Sequence, residues 1–269
     1  CNASGASISE LFLAGFLPGV LIALCLMVYS YIYCKIHGED KDKLNAKCME
    51  LRAKGLGTVL KEGFWALMSP VIILGGIYGG ICSPTEAATI SIFYSLIVSL
   101  FIYRTIKIRD LPKIMLEGIH SYAPILIILS AAVAFARVIT LMNVATIVSE
   151  AVLSAISSKV VILLLINVLL LFVGMIMDTG PAILVFTPVL LPVAEAIGVD
   201  PIHFGIIMCV NLAIGFVTPP MGANLFVASN LSKVSVFDIA RKAVPFILAF
   251  LIALLLITFV PQISMFLLQ

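Results

Sequence analysis

Gly215-Phe216-Val217-Thr218-Pro219-Pro220-Met221-Gly222-Ala223-Asn224 interrupts an apolar run that extends from Ile202 to Leu231. Two adjacent prolines cannot continue a helix, because each lacks an N–H and clashes with the preceding turn. The run therefore reads as a helix that must break. A break at membrane depth leaves backbone N–H and C=O groups without partners, and lipid supplies none. Such backbone persists only where it lines a protein cavity or binds something, so the stretch is a candidate site.

The composition around it places the break in a membrane. Of 269 residues, 62% are hydrophobic and 11% charged, with a mean hydropathy of +1.22, against about 45–50% apolar and about 25% charged in soluble domains. The apolar runs have the ~17–25-residue length of spanning helices and lack the alternation of barrel strands. The expected fold class is an all-α integral membrane protein. Cys1, Cys25, Cys34, Cys48, Cys82 and Cys209 form no CxxC pair and no His/Cys cluster, so neither a metal site nor a disulfide framework is expected. His37, His120 and His203 fall at run ends or in loops and are expected to be solvated. No Ser/His/Asp, Walker, HExxH or Gly-rich nucleotide motif occurs, which argues against an enzyme, an ATPase, a bound cofactor or a nucleic-acid partner. The first apolar run follows Cys1 without a basic n-region or cleavage site, and the chain is expected to be the C-terminal part of a longer protein.

Charge sets the expected topology. After a first run, Leu11 to Tyr33, the segment from Lys35 to Lys61 carries Lys35, Lys41, Lys43, Lys47, Arg52, Lys54 and Lys61 and is expected to be cytoplasmic. Phe64 to Tyr103 is long enough for two crossings, turning near Gly79-Gly80 and returning to Arg104, Lys107, Arg109 and Lys113. A run from Gly118 to Ala136 goes outward to Arg137, which can steer an anion at the outer mouth or simply snorkel to the interface. Leu141 to Ile156 is amphipathic at helical spacing and suits an interface or a connecting arm. Two arms, Val160 to Met177 and Ala182 to Ile197, flank Asp178-Thr179-Gly180-Pro181. If they form a re-entrant hairpin, Lys233, Arg241 and Lys242 fall inside, and only Arg137 and Lys159 of the sixteen basic residues remain outside. The hairpin is the preferred reading. The last run is Val244 to Val260.

Three motifs carry chemistry. The Asp178-Thr179-Gly180-Pro181 tip sets a carboxylate, a hydroxyl and a glycine where one half-helix ends and another begins, with Pro181 suited to a first helical position. Capping would explain it, but an intramembrane carboxylate marks an ion, proton or substrate path. Gly215, Thr218, Pro219, Pro220, Met221, Gly222 and Asn224 form the second break, whose prolines are expected to open its second half-helix, with Asn211 nearby as a further amide ligand. Helix N-termini suit an anion and helix C-termini suit Na⁺, so two such breaks at mid-depth read as an ion-coupled anion site. Ser83-Pro84-Thr85-Glu86 fits a capping box, with Ser83 as cap, Pro84 at the first position and Glu86 reaching back, and needs no ligand to explain it.

With these residues in view, the chain resembles the large membrane subunit of the tripartite ATP-independent periplasmic (TRAP) transporters. The resemblance rests on the stretch from Gly75-Gly76-Ile77-Tyr78-Gly79-Gly80 through Ser83-Pro84-Thr85-Glu86-Ala87-Ala88. It rests also on Asp178-Thr179-Gly180-Pro181 followed by Pro188 and Pro192, and on Asp200-Pro201-Ile202-His203-Phe204-Gly205 leading into Thr218-Pro219-Pro220-Met221-Gly222. It covers Glu10 to Ser264. Thr-Pro-Pro alone is also similar to related carboxylate transporters.

The resemblance implies the second half of an inverted-repeat elevator transporter in the bacterial inner membrane, with Na⁺ as coupling ion. It implies uptake of an organic anion such as a C4-dicarboxylate or sialic acid, a periplasmic binding protein that delivers it, and a small four-helix membrane subunit. Mapped onto this chain, it gives the last helix of the first repeat and its lead-in over 1–34, a cytoplasmic loop over 35–61 and a scaffold helix pair over 62–113. A helix with an amphipathic arm follows over 114–158, a re-entrant hairpin over 159–199, a broken transport helix over 200–231 and a final helix over 232–269. On that mapping the first repeat's own hairpin and broken helix are expected to lie outside this chain, which then holds one side of the site. The alternatives are an ion channel or passive pore lined by the broken helices, a divalent-anion/Na⁺ symporter without a binding protein, and a purely structural membrane partner.

Overall fold

The computed structural model describes residues 4–38, 45, 48–49, 55–220 and 222–268. Met221 and most of the basic loop, including Lys41, Lys43, Lys47, Arg52 and Lys54, lie outside the described residues, as does Cys1. Every regular element among the described residues is helical, and six helices are long and apolar enough to cross a membrane. In chain order the helices are α1 (Ile8–Ala14), α2 (Phe16–His37), α3 (Leu56–Tyr78), α4 (Pro84–Ile97, continued by a π turn to Ile102) and α5 (Leu111–Leu141). They are followed by α6 (Val144–Ala155), α7 (Lys159–Ile176), α8 (Thr179–Ala196), α9 (Pro201–Gly215), α10 (Ala223–Ser232), α11 (Val236–Phe259) and α12 (Gln262–Met265).

The chain divides into two compact units, one of residues 31–123 and the other of residues 1–30 with 124–269. In the first, α3 packs against α4, and the Tyr94 hydroxyl donates to the Trp65 carbonyl at 2.7 Å. The turn between them takes Gly80 to a φ of +66°, a conformation that costs glycine little. Ser83 then caps α4: its hydroxyl accepts from Glu86 N, and the Glu86 carboxylate accepts from Ser83 N at 2.8 Å. With Pro84 at the first position, two orphan N–H groups of the helix start are satisfied without a ligand.

In the second unit α9 is the central post. Phe204, Met208 and Leu212 face a cluster built with Ile162, Ile166, Leu170 and Val173 of α7 and Leu190, Val193 and Ala194 of α8. Ile206, Val210 and Ile214, on the opposite side, pack with Ile247, Leu254 and Ile257 of α11 and Ala14 of α1. A helix apolar nearly all round is buried nearly all round, and only Cys209 of α9 is exposed. The amphipathic α6 lays Val148 and Val152 onto the α7–α8–α9 cluster, so its apolar stripe covers protein.

Local chemistry sets the ends of these helices. Gly198, at φ +73°, ends α8: its N–H donates to Glu195 O, and Val199 N to Ala194 O at 3.0 Å. Lys159 Nζ, at the start of α7, donates to Gly198 O at 3.1 Å and ties the far ends of α7 and α8 together. Asp200 caps α9, accepting from Ile202 N at 2.8 Å, with Pro201 at the first position.

Two expectations about histidines are corrected. His203 is buried, 2% exposed, with Nε2 3.4 Å from the Thr258 carbonyl; its place in the first turn of the central helix puts it against α11. His120 lies within α5 rather than at a run end, and it is exposed. The side chain of His37 is outside the described residues.

Candidate site at two chain breaks

The two interruptions meet. A cavity of about 240 Å³ is walled on one side by Gly174, Ile176, Met177 and Asp178, where α7 ends and α8 begins. On the other side stand Phe216 and Ala223, where α9 ends and α10 begins. Two helix C-termini and two helix N-termini therefore border one small volume. Their dipoles bring partial negative and partial positive charge to it together.

Close approach of α7 and α9 makes this convergence possible. Gly174 and Gly215 touch backbone to backbone: a Cβ on Gly215 would stand 2.6 Å from Gly174 Cα, and one on Gly174 would stand 3.1 Å from Leu212 Cα. Small residues let membrane helices approach in this way. Gly174 carried no signal beyond being a glycine in an apolar run, and the sequence reading passed over it.

At the first break, Asp178 has extended backbone and caps α8. Its Oδ1 accepts from Thr179 N at 2.8 Å and lies 3.4 Å from the Thr179 hydroxyl, while Oδ2 has no protein donor among the described residues. Capping starts the helix at Thr179, so Pro181 is its third residue rather than its first. The missing proline N–H is still one of the four that have no intrahelical acceptor. Pro181 is buried, and a Cβ on Gly180 would meet Leu129 Cδ2 at 3.2 Å.

The second break is a folded loop rather than an open kink. Thr218 Oγ1 donates to the Ile214 carbonyl at 2.7 Å, and Thr218 N to Gly215 O at 3.0 Å, which closes the end of α9. Pro219 and Pro220, joined by a cis peptide bond, are exposed in the loop. They do not open α10, which starts after Gly222 at Ala223. Gly222 is wedged where a Cβ would meet Phe216 O at 2.8 Å and Thr218 O at 2.9 Å. Asn224 returns its backbone N–H to Phe216 O at 3.1 Å, and its side chain is exposed.

Asn211 is not at the cavity. It is wholly buried, and its amide donates to Asn167 Oδ1 and to the Ile207 carbonyl, because a polar side chain inside an all-apolar helix contact must find a polar partner. Ser83, Pro84 and Glu86 belong to the other unit, where they form the cap already described.

Chemically, the cavity offers a carboxylate oxygen and the carbonyl ends of α7 and α9, an oxygen-rich set suited to a hard cation. The starts of α8 and α10 bring the positive ends of their dipoles to the other side, although Thr179 N and Asn224 N are already bonded to Asp178 Oδ1 and Phe216 O.

Comparison with known proteins gives the same architecture a family. The family model described as "Tripartite ATP-independent periplasmic transporter, DctM component" matches residues 1–263. The isethionate TRAP transporter permease protein DctMQ of Oleidesulfovibrio alaskensis is 44% identical over 97% of this chain and 40% of its own length. The C4-dicarboxylate TRAP transporter large permease protein DctM of Pseudomonas aeruginosa is 37% identical over 98% of this chain and 60% of its own. For the sialic acid TRAP transporter large permease protein SiaM of Vibrio cholerae the figures are 34%, 98% and 60%. The chain thus spans between 40% and 60% of the length of these relatives. With six membrane-length apolar helices among its described residues and a family match over nearly its whole length, the chain belongs to the DctM component family of the tripartite ATP-independent periplasmic transporters, multi-pass permeases of the bacterial inner membrane.

Proposed function

We propose that this chain is the second repeat of the large subunit of a Na⁺-coupled secondary transporter that takes up a small organic anion. The observation that carries the reading is the convergence of the two chain breaks on one cavity containing Asp178. Na⁺ sits at the Asp178 carboxylate and the C-terminal ends of α7 and α9, and the anionic group of the substrate faces the N-terminal ends of α8 and α10. Asp178 to Pro181 and Gly215 to Asn224 supply one side of the site. The other side comes from a first repeat of like construction.

In this reading α7 and α8 are the arms of a re-entrant hairpin, α9 and α10 the halves of a broken helix, and the unit moves as an elevator against a scaffold. A small four-helix membrane subunit and a periplasmic binding protein complete the system, and the binding protein sets much of the selectivity. The relatives are named for isethionate, C4-dicarboxylates and sialic acid, all small organic anions, which supports the substrate class.

The test is uptake into proteoliposomes holding the full-length large and small subunits, with the binding protein added outside. Accumulation should require an inward Na⁺ gradient and the binding protein. Accumulation that needs neither would refute the proposal.

A further inference from the structure

Between α7, α9 and α11 runs a buried line of polar side chains that the cavity does not use. Asn211 of α9, 0% exposed, donates its amide to Asn167 Oδ1 of α7. Asn167, 3% exposed, donates in turn to Thr258 Oγ1 of α11 at 3.1 Å, and the Thr258 hydroxyl donates to the Leu254 carbonyl at 2.8 Å. The line thus fastens three helices and ends on backbone.

Stability is a weak reason for such a line. Asn211 Oδ1 has no partner among the described residues, and leucine, with a side chain of the same branched shape, would leave no orphaned oxygen in this apolar contact. Polar bonds between membrane helices also add little net stability, because the separated helices find other partners. What a directional bond adds to an apolar contact is register. A slide of one helix turn, about 5.4 Å, would part Asn211 from Asn167.

That register matters at the cavity. Asn167 precedes Gly174 along α7, and Asn211 precedes Gly215 along α9; these glycines are where the two backbones touch beside the cavity wall. The polar line and the glycine contact are two fixed points between the same two helices. Together they set how far each C-terminus reaches into the cavity.

We propose that Asn211, Asn167 and Thr258 are positioning residues, a clamp that holds the carbonyl ends of α7 and α9 at the relative height the cation requires. The inference rests on the Na⁺ reading of the cavity. It makes cation affinity depend on a side-chain network that touches no ion.

The test compares Na⁺ dependence of uptake in proteoliposomes for the full complex and three variants of it. The double variant Asn167→Leu with Asn211→Leu removes both amides at once and leaves neither facing an unpaired partner. Its half-saturating Na⁺ concentration should rise fivefold or more, with maximal uptake rate and assembled complex changed less than twofold. Thr258→Val removes the acceptor for Asn167, together with the local hydroxyl bond to Leu254 O, and should raise half-saturation about twofold or more. It also serves if the double variant does not assemble. Asp178→Asn is the reference. If Asp178→Asn weakens Na⁺ dependence while Thr258→Val and any assembled double variant keep the original half-saturation, the clamp is overturned and the cavity reading stands. If Asp178→Asn also changes nothing, the cavity reading falls, and the clamp with it.

Discussion

Asp178 is a cap that the proposed function also makes a cation ligand, and one substitution can separate the two roles. As a cap it needs a side-chain acceptor for Thr179 N, and asparagine serves nearly as well as aspartate there. As a cation ligand it needs its charge. Asp178→Asn should therefore leave the amount of folded complex unchanged while raising the half-saturating Na⁺ concentration about tenfold, equivalent to about 1.4 kcal/mol of binding free energy. Asp178→Ala should lose both. Equal Na⁺ dependence in Asp178→Asn and the parent would reduce the residue to a cap. Gly215 makes a different demand, since a methyl there meets backbone of Gly174, which has no rotamer to retreat into. Gly215→Ala should destabilise the complex by about 1–3 kcal/mol or more, seen as a fall in the melting temperature of the detergent-solubilised complex. Gly118→Ala, where a Cβ meets nothing within 4 Å in this chain, is the control and should be neutral or slightly stabilising.

Where helices begin and end follows from chemistry that acts over a few residues. The Ser83 box is the clearest case. Glu86 is exposed, and its carboxylate is occupied by Ser83 N and the Ser83 hydroxyl. Glutamine makes the same box, so Glu86→Gln should leave uptake within twofold of the parent. Ser83→Ala should cost about 1 kcal/mol of stability, measurable by thermal melting of the complex. A severe transport defect in Glu86→Gln that spares folding would show that this carboxylate does more than cap. The same locality explains what the sequence disclosed. The breaks at 177–178 and 216–222 and the cap at Ser83 are written in proline, glycine and short polar side chains.

Which side of a helix meets which neighbour is not written that way. Because α9 is apolar on all faces, its spacing holds no mark that Asn211 turns toward Asn167 instead of the cavity, or that His203 is buried against Thr258. Pro181 and Pro220 mislead for a related reason. A proline alone does not stop a helix, since Pro70, Pro124, Pro188, Pro192 and Pro245 all lie inside helices. What decides where the next helix starts is the residue before its first turn, the side-chain cap Asp178 in one case and the closely packed Gly222 in the other.

For the whole molecule the open quantity is which side of the membrane each end faces. α7 and α8 are each 18 residues long, enough to cross separately, so length is silent. Their joint nevertheless shares a cavity with the joint of α9 and α10. If the break at 216–222 lies partway through the membrane, as a crossing by residues 201–232 requires, then the Met177–Asp178 turn lies at that depth too. A turn at mid-depth means that α7 and α8 enter and leave by the same face. Lys159, with its bond to Gly198 O, then marks that face as the base of the hairpin, and Lys233, Arg241 and Lys242 fall opposite, on the side that the positive-inside rule assigns to the cytoplasm. In a large subunit whose native cysteines are replaced by serine, Ser157→Cys should react with a membrane-impermeant maleimide applied to spheroplasts. Ser232→Cys should react only after the membrane is permeabilised. Both positions are exposed in this chain, and each should react once the membrane is permeabilised, which is the control for access. Labelling of Ser232→Cys in sealed spheroplasts would mean that the two arms cross separately, and the hairpin, with the mid-membrane site it brings to Thr218, would have to be abandoned.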